Sequence, residues 1–307
     1  MALCIIALPI FLVLGLFSAT HRELAKESLR CVFAKLTLRP CQTSLNTKMK
    51  TGIIAPIFKR NKTAGKFVQK HFTLLSWIFI ILMVLSTYFV IEGGVNFYLY
   101  GNCDGLNSQN FCVFDPIGTH SGVSTLASCG EEDMNPDLLD FSLIHTDLFS
   151  TTWGDGETNV FFIGCFNCKF TKQVSDTLFN IVESRNVTFT FAHLPIGPET
   201  RIASNYLECL FEKDEQASYQ FLQRLFENQD QHTQEDIVHI AQTIMSDFSL
   251  NQTSISQCVQ SDDMIERIDL QIETLILSGT YGTPTIYVNE QPIVGPRPAR
   301  VYNRLIR

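Results

Sequence analysis

Residues 159–173, "NVFFIGCFNCKFTKQ", place two cysteines two residues apart between an apolar run and a periodic one. Val160, Phe161, Phe162 and Ile163 are β-branched or aromatic, and the preceding "WGDGET" (153–158) is rich in turn residues, so 159–164 reads as a buried strand. Beyond the cysteines Phe170, Val174, Leu178 and Ile181 recur at spacings of four, four and three, one face of a helix over 166–183. Residues 186–194, "NVTFTFAHL", alternate as a strand does and end at Pro195, Gly197 and Pro198. The unit is strand, helix, strand, and Cys165 and Cys168 sit at its first junction.

That junction has chemical consequences. A cysteine where a strand runs into a helix meets unpaired backbone N–H groups and the positive end of the helix dipole, so the Cys165 thiolate should form more readily than in a free cysteine. A spacing of three brings Cys168 back to the same face, where it can resolve a mixed disulfide made through Cys165. Half of a metal site and two inert core thiols are the competing readings. A zinc site needs a second pair of ligands, and the chain has no other Cys-x-x-Cys and no His-x3-5-His. His193, the nearest histidine, reads as a strand-end residue. No metal and no cofactor is expected.

A helical block follows: a long amphipathic pattern over 202–227, one over 233–247 entered through Thr233, a short one over 254–259, and one over 262–277 with Ile265, Ile268, Ile272, Leu275 and Ile276 on one side. The strand signal then returns. "TPTIYVN" (283–289) is extended, "EQPIVG" (290–295) reads as its hairpin partner across Asn289-Glu290, and a short basic helix over 297–307 closes the chain. Pro284 cannot donate to a ladder and so belongs at a strand start, where a cis Thr283–Pro284 bond would turn the chain sharply.

Taken together, Gly-Cys-x-x-Cys after an apolar strand, a helical block, and Gly-Thr-Pro-Thr leading a hairpin resemble the thioredoxin-fold proteins, and the long helical block resembles the DsbA-type thiol:disulfide oxidoreductases among them. The resemblance covers about 150–307. It implies an α/β thioredoxin fold with an inserted helical block over about 199–278. It further implies that Cys165 is the nucleophile, Cys168 the resolving thiol, and Thr283-Pro284 a loop against the sulfurs that offers backbone groups to an extended substrate. Phe166-Asn167 departs from the Pro-His of the strong oxidant of the family and from the Gly-Pro of thioredoxin, and residues between the cysteines tune thiolate stability. Cys209, in the first inserted helix, and Cys258, at the end of the helical block, would be ordinary buried residues as free thiols; as a pair, favoured by the oxidising compartment, they would clamp the insert as in some members. The partners implied are extracytoplasmic proteins with thiols or disulfides and a membrane redox partner that recycles the pair. A reductase or isomerase arm of the same fold, or a binding or chaperone module without redox catalysis, are the alternatives to an oxidase.

The rest of the chain says where this domain sits. Of its 307 residues 45% are hydrophobic, and the formal net charge of −8 is unevenly spread. Twelve Lys and Arg residues between Arg22 and Lys70 face only Glu23 and Glu27, whereas Glu92 onward carries 29 acidic against 11 basic residues. Residues 72–91, "FTLLSWIFIILMVLSTYFVI", are free of charge over the length that crosses a bilayer as a helix. Residues 1–19 hold a second such run. No basic residue leads it and Phe17 spoils a signal-peptide cleavage site, so it reads as a membrane helix. The positive-inside rule makes 20–71 a cytoplasmic loop, attracted to anionic lipid, and places both chain ends outside. No recognition motif accompanies the basic residues, so nucleic acid is not expected as a partner. The expected organisation is two transmembrane helices, an extracytoplasmic connector over 92–149, and the α/β domain over 150–307, in a multi-pass protein of the cell membrane. In the connector a Cys103–Cys112 bridge with Cys129 left over is the simplest pairing. Cys31 and Cys41 would be cytoplasmic and reduced, and Cys4 an apolar filler in the first span.

Overall fold

The computed structural model describes residues 26, 58–60, 62–108, 111–117, 124–125, 139–195, 198–227 and 232–307. The expected first span, most of the basic loop, and Cys4, Cys31, Cys41 and Cys129 lie outside the described residues. The chain divides into two compact units, 1–91 and 92–307.

Helix α1, Lys62–Tyr100, starts in the first unit and ends in the second, with a break in helical backbone at His71 (φ −105°, ψ 15°). The uncharged run therefore opens a fresh helical segment. Its apolar side chains are exposed around the helix, Trp77, Ile81, Leu82, Leu85, Tyr88 and Phe89 among them. A helix apolar on all sides fits lipid better than water. Among the described residues it is the one helix long and apolar enough to cross a membrane, and the stretch that qualifies, Ile81–Tyr100, overlaps the expected 72–91.

The second unit is built on a sheet of order β2-β4-β3-β6-β7, with β2 Thr152–Trp153, β3 Thr158–Gly164, β4 Val187–His193, β6 Thr285–Val288 and β7 Gln291–Val294. β3 and β4 run parallel, joined by helix α2, Lys169–Ser184, and every other pair is antiparallel. A separate two-residue ladder joins β1, Ser124–Thr125, to β5, Gly282–Thr283. The continuous apolar run of β3 follows from burial on both faces: Val160 and Phe162 enter the larger core, Phe161 and Ile163 the smaller. The hairpin turns at Asn289 and Glu290, both with positive φ (46° and 70°), as a two-residue turn between right-twisted strands requires.

Between β4 and β5 lie five helices: α3 Arg201–Phe211, α4 Glu215–Glu227, α5 Gln234–Asp247, α6 Gln252–Val259 and α7 Asp262–Leu277; a short α8, Ala299–Leu305, follows β7. The single pattern expected over 202–227 is two helices. Asp214 breaks it, its Oδ1 accepting from the Ala217 N–H (2.8 Å) and so capping α4. Thr233 caps α5 in a reciprocal box with Asp236, whose carboxyl is held below its ordinary pKa by the Thr233 hydroxyl and backbone hydrogen bonds. β2 lies in a turn-rich stretch with no strand signal of its own, and its Trp153 donates from Nε1 to the Glu215 carbonyl (2.9 Å). The connector also contributes to the sheet, since the Asn107 side chain accepts from Val294 N and donates to Pro292 O along the edge of β7.

Two disulfides are present among the described residues, Cys103–Cys112 and Cys209–Cys258. The second joins α3 to α6 across a separation of 49 residues. A loop of that length restricts the unfolded chain, so Cys209→Ser should lower stability by about 2–4 kcal/mol in denaturant unfolding. Thiol exchange at Cys165 should survive, because the clamp lies in the insert.

Candidate active site

β3 delivers the chain to Cys165 through Gly164. A Cβ on Gly164 would lie 2.6 Å from Thr171 Cγ2 and 3.0 Å from the Phe191 ring, so only glycine lets the first turn of α2 close on the end of the sheet. Thr171 uses that proximity twice. Its hydroxyl accepts from the Cys165 N–H (3.4 Å), and its own N–H donates to Cys168 Sγ (3.4 Å). The cysteines themselves close a turn, Cys168 N–H to Cys165 O at 3.1 Å. Helix α2 consequently starts at Lys169 with Cys168 as its N-cap, three residues later than expected. The sulfur that receives a helix amide is Cys168, and Cys165 stands in the turn before the helix.

Thr283 comes from 115 residues away to meet this turn. Cys168 Sγ–H donates to the Thr283 carbonyl at 3.4 Å, and the Thr283–Pro284 peptide is cis. Thr283 belongs to β5, the short edge on which Ser124–Thr125 lies in antiparallel register, so this edge already takes an extended segment of chain. Cys165 and Cys168 are both buried, 0% and 3% exposed.

Of the two residues between the cysteines, Phe166 faces inward and Asn167 is exposed. Phe166 is fully buried, with ring centroids 5.4 Å from Phe191, 5.2 Å from Phe226 and 4.4 Å from His193. Asn167 pairs with the backbone of His232 at the start of the α5 approach: Oδ1 accepts from His232 N (2.9 Å) and Nδ2 donates to His232 O (3.3 Å). The dipeptide thus ties the motif to the core and to the helical insert.

His193 ends β4 level with Gly164 in the parallel register. Its Nδ1 shares a hydrogen with Ser204 Oγ (2.7 Å), and burial pushes its pKa down to about 3. The folded protein therefore keeps His193 neutral where an unfolded chain protonates it. A folded pKa below the unfolded value means that stability is complete above about pH 6.5 and falls as pH drops toward 3. The slope is about 1.4 kcal/mol per pH unit. Between about pH 6.5 and 5, denaturant midpoints of the natural chain should fall more steeply than those of His193→Asn. Among the described residues no cluster of three or more His, Cys, Asp or Glu could hold a metal ion.

Sequence reasoning named Cys165, Cys168, Phe166, Asn167, Thr283 and Pro284, and the structure brings all six to one end of the sheet, while Cys209 and Cys258 lie in the insert. It missed Thr171, although a hydroxyl residue three positions after Cys168 is a recognisable first-turn partner. The Ser124–Thr125 strand carries no such signal.

Residues 160–307 match a family model described as Thioredoxin. Among solved structures the chain is similar to the thiol-disulfide exchange protein alpha-DsbA2 from Wolbachia pipientis (14% identity, 54% of this chain and 89% of that one, TM-score 0.48). It is also similar to a periplasmic thioredoxin-like protein from Salmonella enterica serovar Typhimurium (17%, 57% and 97%, 0.46) and to the catalytic domain of Proteus mirabilis ScsC (20%, 54% and 94%, 0.45). No curated protein matches the chain by sequence. The α/β domain is thus a thioredoxin-like fold with a helical insertion.

Proposed function

We propose that the chain is a membrane-anchored thiol:disulfide oxidoreductase whose extracytoplasmic domain exchanges disulfides with protein substrates through Cys165 and Cys168, acting as an oxidase. The observation that carries this reading is the 3.4 Å contact of Cys168 Sγ with the Thr283 carbonyl, which sets the cysteine turn against a strand edge able to hold an extended chain. In the oxidising direction a substrate thiolate attacks Cys165 Sγ of the Cys165–Cys168 disulfide, and Cys168 leaves as a thiolate. The Thr171 N–H stabilises that anion. A second substrate thiolate then attacks the substrate sulfur of the mixed disulfide, releasing Cys165 and leaving the substrate oxidised and the pair reduced. A membrane redox partner would take up the two electrons.

The oxidase direction is supported by the two disulfides in the same unit, which persist in oxidising compartments. The anchor is supported by α1 and the extracytoplasmic placement by the basic residues before it. Because Ser124–Thr125 lies on β5, a substrate strand using this edge would take its place.

Burial of both sulfurs favours one competitor, a binding or chaperone module that performs no exchange. The test is turnover. The full chain in detergent, oxidised at Cys165–Cys168, should oxidise a reduced model protein stoichiometrically, and Cys165→Ser should not; equal rates for the two would remove the enzyme reading.

A further inference from the structure

The segment on either side of Cys112, which the Cys103–Cys112 bridge ties to the end of α1, presents four apolar side chains that the domain does not cover: Phe111 (75% exposed), Val113 (74%), Phe114 (45%) and Ile117 (87%). Its position is fixed relative to the end of α1. The chain leaves the helix at Gly101, whose φ of +77° turns it back, and Asn96 Nδ2 donates to the Cys103 carbonyl (2.9 Å). The disulfide then carries the loop back along the helix. Phe114 stacks on Phe97 (centroids 5.9 Å) and its ring lies over the Gly93–Gly94 step, where a Cβ on Gly94 would be 3.5 Å from Phe114 Cζ. From Tyr100 back to Gly93 is about 10 Å of helix at about 1.5 Å per residue. The loop therefore returns to the turn that directly follows the uncharged run ending at Ile91, where Glu92 marks the first charge.

We propose that this loop is a second membrane contact, with Phe111, Val113 and Ile117 seated in the headgroup and upper acyl region of the outer leaflet. The proposal rests on α1 being the anchor. Its occupant is lipid because the patch packs through Phe114 on the last turns of α1, where Val95 and Tyr98 are also exposed, and because an aromatic and aliphatic cluster directly after an uncharged span meets the boundary where such side chains partition. Residues 111–117, "FCVFDPI", contain no basic side chain, so insertion is apolar and does not need anionic lipid. The disulfide at Cys112 and the Phe114–Phe97 stack already restrain the segment, so it loses little further freedom on insertion and would hold the domain at a fixed orientation to the bilayer.

The experiment uses the full chain in phosphatidylcholine vesicles carrying bromines at shallow or deep acyl positions. Tryptophan emission is read in the natural chain, in Trp77→Phe, and in Ile117→Trp and Val113→Trp made on Trp77→Phe. Trp153 is buried in the domain and forms the constant background. Both introduced tryptophans should be quenched by the shallow label about twofold more than by the deep one. The emission that Trp77→Phe removes should itself be quenched, which tests the anchor separately. Unquenched loop positions with a quenched Trp77 would overturn the loop contact and leave the anchor standing. Failure at Trp77 as well would overturn both. Loop quenching by neither label, joined to a blue shift that disappears when the chain is diluted in lipid, would assign the patch to a second copy and overturn the lipid contact.

Discussion

In a chain carrying Cys168→Ser, mixed disulfides joining Cys165 to other proteins should accumulate, and in Cys165→Ser they should fall by about tenfold or more. The asymmetry follows from where each sulfur is held. Cys168 is fixed from two sides, by the Thr171 N–H and by the Thr283 carbonyl, and its resolving attack is directed at the neighbouring Cys165. With serine at 168, Cys165 still attacks a partner disulfide and expels one partner thiolate, but the bond it forms has no neighbouring thiolate to break it. With serine at 165, the remaining sulfur is the helix N-cap, engaged by the Thr171 N–H and the Thr283 carbonyl. Trapped complexes are read by acid quench and non-reducing electrophoresis of the full chain in membranes. Trapping by Cys165→Ser instead would reverse the two roles, a result that the helix amide on Cys168 makes worth testing.

The second large effect is expected at Phe166. Sequence reasoning assigned this position to tuning of the cysteine pair, but its ring is fully buried among Phe191, Phe226 and His193. Phe166→Ala leaves a cavity where a phenyl ring stood, and such truncations cost about 3–5 kcal/mol. A loss of that size removes a large part of the stability of a marginal domain. Phe166→Leu, which refills most of the volume, should recover the larger part. Urea unfolding of both variants checks this, and a loss below about 1 kcal/mol in Phe166→Ala would show that the ring is not the anchor described.

The strand before Cys165 was readable because a short run of β-branched and aromatic residues flanked by turn residues is the pattern of a buried strand, and burial on both faces keeps the run continuous. The hairpin was readable because Asn289-Glu290 separates two extended runs by two residues. The start of α2 was not, because periodicity reports the face of a helix and says little about its first turn, which the cysteines here convert into a tight turn and a cap. The break between α3 and α4 was missed for a related reason: Asp214 acts through one side-chain hydrogen bond, and the apolar spacing runs on past it. Contacts made by isolated polar side chains across long separations, such as Asn167 with His232 or Asn107 with β7, leave no periodic trace at all.

The most direct test of the exchange chemistry is a redox titration of the 165–168 pair in the full chain, equilibrated in thiol–disulfide buffers, acid-quenched and mapped by mass. The account predicts a single two-electron step between dithiol and the Cys165–Cys168 disulfide, at a potential above about −200 mV, as suits a donor of disulfides. Cys209–Cys258 should stay bonded throughout. A pair that remains dithiol across the whole range, or cysteines that oxidise only to other partners, would contradict it.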